Sequence, residues 1–409
     1  MTGARIGLAV SGGGFRATAF GLGCLRALHD LDLLDQVVVV SGISGGSLLS
    51  AMWAYGPHEF AEFDASVVEL LRSGLQLELA RRALTPPALA RIGASAVAAT
   101  VQRSRPRHHT PTDALAAALA AREFGQRRLH EVTHPGVESV ISATDFGSGN
   151  AVRYGSRAAT CSPYGRIVDE ITVADAVAAS ASYPLAFPAL HRRYEFERTD
   201  GTRHVQNVAL TDGGVYDNLG LAPLLPGRSA QHTAHVYPLD YLVCADAGRG
   251  RAPRRPARFL PRRLLHSFDI TYAKTQDGGR SQLHQAQLTG RLTGVVHAYL
   301  GMEDRKMPVP IADLVPRHRV DQYATNLRRM DDADIAAITT RGEQLTRVLL
   351  DWYCPELHPL SRRRCVKVGQ EPRCEHESSR QQERRPLVQP GRLDRSEPDA
   401  RRGSGEVKS

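Results

Sequence analysis

Over the first fifty residues the apolar positions fall into short blocks separated by glycine. Arg5-Ile6-Gly7-Leu8-Ala9-Val10 reads as a strand, and Ala17 to Leu28 as an apolar helix behind the cluster Ser11-Gly12-Gly13-Gly14-Phe15-Arg16. Val37 to Val40 are four β-branched residues in a row, which suits a strand buried on both faces, and the apolar run from Leu48 to Trp53 predicts a helix directly after it. Between residues 57 and 135 the period changes. Phe60, Phe63, Val67, Leu71, Leu75 and Leu79 recur at helical spacing, Pro86-Pro87 breaks the pattern, and Thr110-Pro111-Thr112-Asp113 opens another helix with a threonine cap and a proline at its first position. This stretch is read as a helical insertion, either a lid or a packing layer.

Strand pattern returns at Val137 to Ser142, with a partner at Ala151 to Tyr154, and again at Tyr241 to Cys244 and Thr293 to Leu300. A helix starts at Thr172-Val173-Ala174-Asp175 and stops before Tyr183-Pro184; Ile335, Ile338, Leu345, Leu349 and Trp352 mark a last one. The small apolar loop Ala181 to Pro188 suits a pocket wall or core. Beyond Ser361 apolar periodicity is lost, so residues 1–355 are taken as the folded unit and 356–409 as a polar, disordered tail. The length of 409 residues allows two or three domains or one large α/β domain with insertions.

Charge changes this picture little. The formal net charge is +9, but only four of the 52 basic residues are lysines, an arginine bias that genome composition explains as well as function. Seven arginines from Arg249 to Arg263 occur without an intervening acid, which offers either a peripheral contact with an anionic membrane or a solvated loop. No nucleic-acid partner is expected. Cys24 and Cys244 lie in apolar segments and read as buried thiols of a reducing compartment. Cys365, Cys374 and His376 match no zinc spacing, so neither metal nor other cofactor is expected. Ile6 to Val10 is too short for a secretory signal, and no apolar span reaches membrane length, so a cytoplasmic location is expected.

Two stretches carry chemistry. Ser44 falls at the turn from strand to helix, and the spacing Gly42-x-Ser44-x-Gly46 has a steric reason. A sharp elbow leaves no room for side chains two residues either side and thrusts the serine hydroxyl outward, while the helix start offers free N–H groups to a developing oxyanion. A plain Gly/Ser turn is the competing reading. Gly12-x-Gly14-x-x-Ala17 also satisfies a dinucleotide fingerprint, but the second strand ends in Ser41-Gly42 where the ribose would need an acid, and no Gly-Lys-Ser/Thr follows for a phosphate loop. The second stretch is Leu210-Thr211-Asp212-Gly213-Gly214, an aspartate at a strand end on a tight turn, placed either to reach a serine hydroxyl or to cap the turn, as Asp145 and Asp246 do.

With Gly12-Gly13-Gly14-Phe15-Arg16, Gly42-Ile43-Ser44-Gly45-Gly46 and Asp212-Gly213-Gly214 in this order and spacing, the chain resembles the patatin-like phospholipase family over about residues 5–355. The resemblance implies an α/β fold, a three-layer α/β/α sandwich around a mostly parallel sheet with the 57–135 insertion. It also implies a serine acyl hydrolase acting on phospholipid or lysophospholipid esters. Carried over by position, Ser44 is the nucleophile and Asp212 the base; Gly12, Gly13, Gly14 and Gly45 form the oxyanion hole, and Gly42, Gly46, Gly213 and Gly214 complete the motifs. Ala17 stands where the family pattern usually has glycine. The alternatives are an α/β-hydrolase triad completed by His232, His235, His266 or His297, and a non-catalytic nucleotide- or lipid-binding module using the Gly12 to Gly14 loop.

Overall fold

The computed structural model describes residues 3–83, 110–184, 186–250 and 259–357. The Pro86-Pro87 break, the centre of the arginine run, Leu185 and nearly all of the 356–409 tail lie outside the described residues.

The strands join in one sheet: β1 (Ile6–Val10), β2 (Val37–Gly42), β3 (Glu138–Asp145), β4 (Asn150–Gly155), β5 (Ala159–Cys161), β6 (Gly165–Ile167), β7 (Leu190–Glu197), β8 (Arg203–Thr211), β9 (Tyr241–Asp246) and β10 (Gly294–Tyr299). The half in the order β10-β9-β1-β2-β3 is parallel. From β3 onward each strand is antiparallel to the next, and β8 pairs back onto β3 through Thr144 with Thr211 and Asp145 with Leu210, closing a barrel-like ring. The expectation of a mostly parallel sheet is therefore corrected. Most of the links from β3 to β8 are tight turns that force antiparallel pairing, whereas parallel neighbours need a crossover of a dozen residues or more.

Among the described residues the α-helices of eight residues or more are α1 (Phe15–Asp30), α2 (Gly45–Tyr55), α3 (Phe60–Ser73), α4 (Gln76–Ala83), α5 (Pro111–Leu119), α6 (Val173–Ser180), α7 (Leu260–Leu288) and α8 (Asp332–Tyr353). Successive strand residues divide between two cores, as a period of two requires. Leu8, Val10, Val40, Val243 and Val296 pack with α1, α2 and α8, while Ala9, Val39, Leu242 and Val295 pack with Leu283 and Ala286 of α7. The parallel half is thus covered by helices on both faces. On the first face α1 and α8 approach so closely that a Cβ at Gly23 would overlap the Thr339 carbonyl.

Within 57–135, the single amphipathic helix expected from Phe60 to Leu79 is two. Gly74, at φ 71°, breaks it, and α3 buries Phe63, Val67, Leu70 and Leu71 against the core. Thr110 starts α5 with a reciprocal cap: its Oγ1 accepts from the Asp113 amide at 3.3 Å, and the Asp113 carboxylate accepts from the Thr110 amide at 2.7 Å.

Candidate active site

Ser44 stands between β2 and α2 at φ 52° and ψ −121°, one of two non-glycine residues with positive φ among those described. Such a conformation costs on the order of 1–3 kcal/mol and persists only when its surroundings enforce it. They do so by crowding. A Cβ at Gly46 would overlap the carbonyls of Val10 and Ser11, one at Gly42 the Ser50 hydroxyl, and one at Gly45 the carbonyl of Gly14. The elbow is thereby pressed against the glycine loop that follows β1.

Asp212 follows β8 and is 3 % exposed. Its Oδ1 accepts from the Gly214 amide at 2.7 Å, and the Ser44 hydroxyl is near enough to act on its carboxyl. Burial pushes the carboxyl up to about 6, with the Gly214 amide and the Ser44 hydroxyl opposing the shift. The loop after α6 joins the two residues. Ser180 Oγ accepts from the Ser44 amide at 2.9 Å, Ser180 O accepts from the Gly213 amide at 3.2 Å, and Ser182 O accepts from the Asp212 amide at 3.0 Å. Neither serine carried a sequence signal, since a buried serine in an alanine-rich helix end looks like filler.

Ser44, Asp212, Gly12, Gly13 and Gly14 all line one cavity of about 880 Å³. The Gly12 amide donates to Asn218 O at 2.9 Å, so it is not free for an oxyanion. Among the described residues no acceptor is found for the Gly13 and Gly14 amides. Gly42, Gly45, Gly46, Gly213 and Gly214 are not part of the cavity lining; the first four are packed tightly against neighbouring segments, and Gly214 donates its amide to Asp212. The rest of the wall is of mixed character, with Leu79, Phe187 and Leu327 beside Arg16, Arg249 and Arg280. Arg16 is 5 % exposed and donates to Ala247 O, Tyr323 O and Thr325 Oγ1. Burial, reinforced by Arg249, lowers its pKa to about 10.

None of the four candidate histidines lines this cavity. His235 is buried between Thr160 and Tyr237, and burial followed by the nearby arginines drops it to about 3. His297 lies 3.0 Å from Asp246, which also holds Arg280 at 2.7 Å. Burial would raise the Asp246 carboxyl, but the bond to His297 and the Arg280 charge hold it at about 2. Asp145 accepts from the Ser148 and Ala209 amides and Asp246 from the Gly248 amide, so both cap turns as the sequence reading had them. No cluster of metal-ligating residues occurs among the described residues.

Among curated protein sequences none matches the chain. Among solved structures, human GIVD cytosolic phospholipase A2 superposes with a TM-score of 0.50 at 13% identity, covering 84% of this chain and 61% of that one. The chain therefore spans about three-fifths of that structure's length, and the likeness is one of fold. VipD from Legionella pneumophila aligns at a TM-score of 0.39 and 13% identity over 86% of this chain and 67% of that one, too loosely to carry an argument. The family model for patatin-like phospholipases matches residues 8–225, more than half of the chain, and runs from the first strand past Asp212. A match of that extent, over a mixed α/β fold, shows that the chain belongs to the patatin-like phospholipase family.

Proposed function

We propose that this protein hydrolyses lipid acyl esters through a Ser44–Asp212 dyad and an acyl-serine intermediate. The observation that carries the reading is that a serine held at a strained elbow and a buried aspartate line one cavity, with the serine hydroxyl near enough to act on the carboxyl. An ordinary solvated carboxylate is a poor base toward an alcohol; one raised to about 6 is better matched and still mostly ionised at neutral pH. Ser44 attacks the ester carbonyl and Asp212 takes its proton. The Gly13 and Gly14 amides meet the developing oxyanion, each worth about 2.7–4 kcal/mol when well aimed. The alcohol leaves with the proton, and water, deprotonated by the same carboxylate, releases the acid.

A phospholipid or lysophospholipid suits a cavity of this size whose lining includes both apolar side chains and arginines. We assign catalysis to residues 1–355, with the 57–135 insertion contributing Gln76, Leu79 and Ala80 of α4 to the cavity wall. Contact with lipid is proposed at the start of α7. There the exposed Phe259, Leu260, Leu264 and Leu265 stand beside the exposed Arg262 and Arg263, on the helix whose later turns bring Tyr272, Gln276 and Arg280 to the cavity. Each arginine near an anionic surface adds about 1 kcal/mol. No described helix is long and apolar enough to cross a membrane, so such contact is peripheral.

The test is labelling by a fluorophosphonate and turnover of a short-chain ester. Ser44→Ala abolishes both, Asp212→Asn abolishes turnover, and no histidine substitution does either. A folded variant silenced by the loss of one histidine would return the assignment to a triad.

A further inference from the structure

The amides of the glycine loop are not all in the same state. The Gly12 amide donates to Asn218 O and the Phe15 amide to Asn326 O, both at 2.9 Å, while no described residue accepts from the Gly13 and Gly14 amides between them. The turn is held at its two ends and open in the middle. Its far end is held by residues 323–327, a stretch outside any helix or strand and beyond residues 8–225, which the family model matches. The approach is close. A Cβ at Gly14, φ 58°, would stand 2.5 Å from Asn326 O and 2.9 Å from Asn326 N. Arg16 makes a second tie: its Nη1 donates to Tyr323 O at 2.7 Å and to Thr325 Oγ1 at 2.9 Å, and its Nη2 would lie 3.1 Å from a Cβ on Gly13. The stretch is itself anchored on the break between α3 and α4, where the Leu75 amide donates to Leu327 O at 3.0 Å and Leu71 O accepts from the Met330 amide at 2.8 Å. Asn326 Oδ1 closes its bend by accepting from the Arg328 amide at 2.9 Å.

We propose that Thr325 and Asn326 are positioning residues for the oxyanion, fixing through Arg16 and Phe15 the direction in which the Gly13 and Gly14 amides point. Two glycines at φ 151° and 58° have other conformations open to them at little cost. An amide that turns away from the oxyanion loses most of its effect, because hydrogen bonds weaken steeply with angle. A turn clamped from outside keeps both donors aimed before the substrate arrives, so the attack itself carries no reorganisation. Ala324, Thr325, Asn326 and Leu327 also line the cavity, which places the clamp beside the open amides. Glycine is required at position 14 in this arrangement, since a side chain there would lift Asn326 off the turn.

This inference rests on the Ser44–Asp212 reading, and its experiment separates the two. The probes are a dissolved short-chain ester and a trifluoromethyl ketone with the same acyl chain. Ser44 Oγ adds to the ketone carbon, Asp212 takes the proton, and the former carbonyl oxygen stays as an oxyanion. Thr325 is exposed, so Thr325→Val removes one acceptor of Arg16 without disturbing the core. It is expected to lower kcat about three- to tenfold with KM within about twofold, and to weaken inhibition by the ketone by the same factor as kcat, at an unchanged thermal midpoint. Thr325→Ser keeps the hydroxyl and restores the parent values. Asn326→Gly, which deletes the acceptor that closes the bend, moves kcat and ketone affinity the same way by more. Parent values in both Thr325→Val and Asn326→Gly, a fall in kcat without a matching loss of ketone affinity, or a Thr325→Ser variant as slow as Thr325→Val overturns the positioning role. A parent protein that neither binds the ketone nor is labelled at Ser44 overturns the dyad reading instead.

Discussion

Replacing Asp212 with asparagine is expected to abolish turnover and, above neutral pH, to stabilise the fold. Moving a carboxyl from 3.8 to about 6 costs the ionised folded state about 3 kcal/mol, an upper bound because the unfolded chain is not fully solvated at that residue. The folded protein binds this proton more tightly than the unfolded one does. The stability associated with it is fully present below the ordinary carboxyl range and is lost as pH rises through about 6. Asparagine stays neutral and escapes that loss. The variant's advantage should be near zero at pH 4, grow between pH 4 and 6, and level off by about pH 7. In thermal unfolding followed by circular dichroism it amounts to a rise of a few degrees. The same ionisation governs the parent's acylation rate, which should be about tenfold below its plateau at pH 5, where an unperturbed aspartate would already be ionised. A stability difference that does not change with pH, or a variant less stable than the parent at pH 8, would refute the claim that burial of the charged form dominates this site.

Other outcomes follow from the same geometry. Ser180→Ala removes the acceptor of the Ser44 amide and should cost about 1–2 kcal/mol of stability while lowering kcat more than it raises KM, since the strained elbow loses a restraint; an unchanged kcat argues against it. Gly23→Ala forces α1 and α8 apart where they nearly touch and should cost about 3 kcal/mol or more, read by urea unfolding. Asp246→Asn removes the buried negative charge that Arg280 and His297 meet. It should destabilise by about 3 kcal/mol at neutral pH, with the difference shrinking only as pH falls from about 4 toward 2, because that carboxyl is held low in the folded protein. Leu260→Glu with Leu264→Glu should weaken sedimentation with vesicles containing phosphatidylglycerol and leave turnover of a dissolved ester unchanged; equal binding of parent and variant removes α7 as the docking element.

Much of the site's skeleton could be read from the chain because it is local. The elbow around Ser44, the glycine loop and the Asp212 turn are each a few residues long, and each is constrained by sterics within its own strand-turn-helix unit. The threonine caps at 110 and 172 are legible for the same reason: donor and acceptor lie three residues apart. The strands of the parallel half announce themselves because burial on both faces demands unbroken apolar runs.

What failed to show in the sequence depends on partners far along the chain. β5 to β7 are short or half-exposed, with charged residues such as Arg192, Arg193, Glu195 and Glu197 in the last of them, so their pattern does not distinguish strand from loop until β8 closes on β3. The first turns of α7 show no buried face, because none of their described side chains is buried; no apolar stripe marked the helix. The Gly12 amide, free in any reading of the loop alone, is taken by a carbonyl on the turn after Asp212. Local residue order determined which groups could react and the turns that present them. Tertiary structure alone decided that Asp212 would be buried with its carboxyl raised to about 6, and that Ser180 and Ser182 would tie its turn to that of Ser44. Burial and hydrogen bonding between distant segments are properties of the packed chain, and no window of sequence contains them.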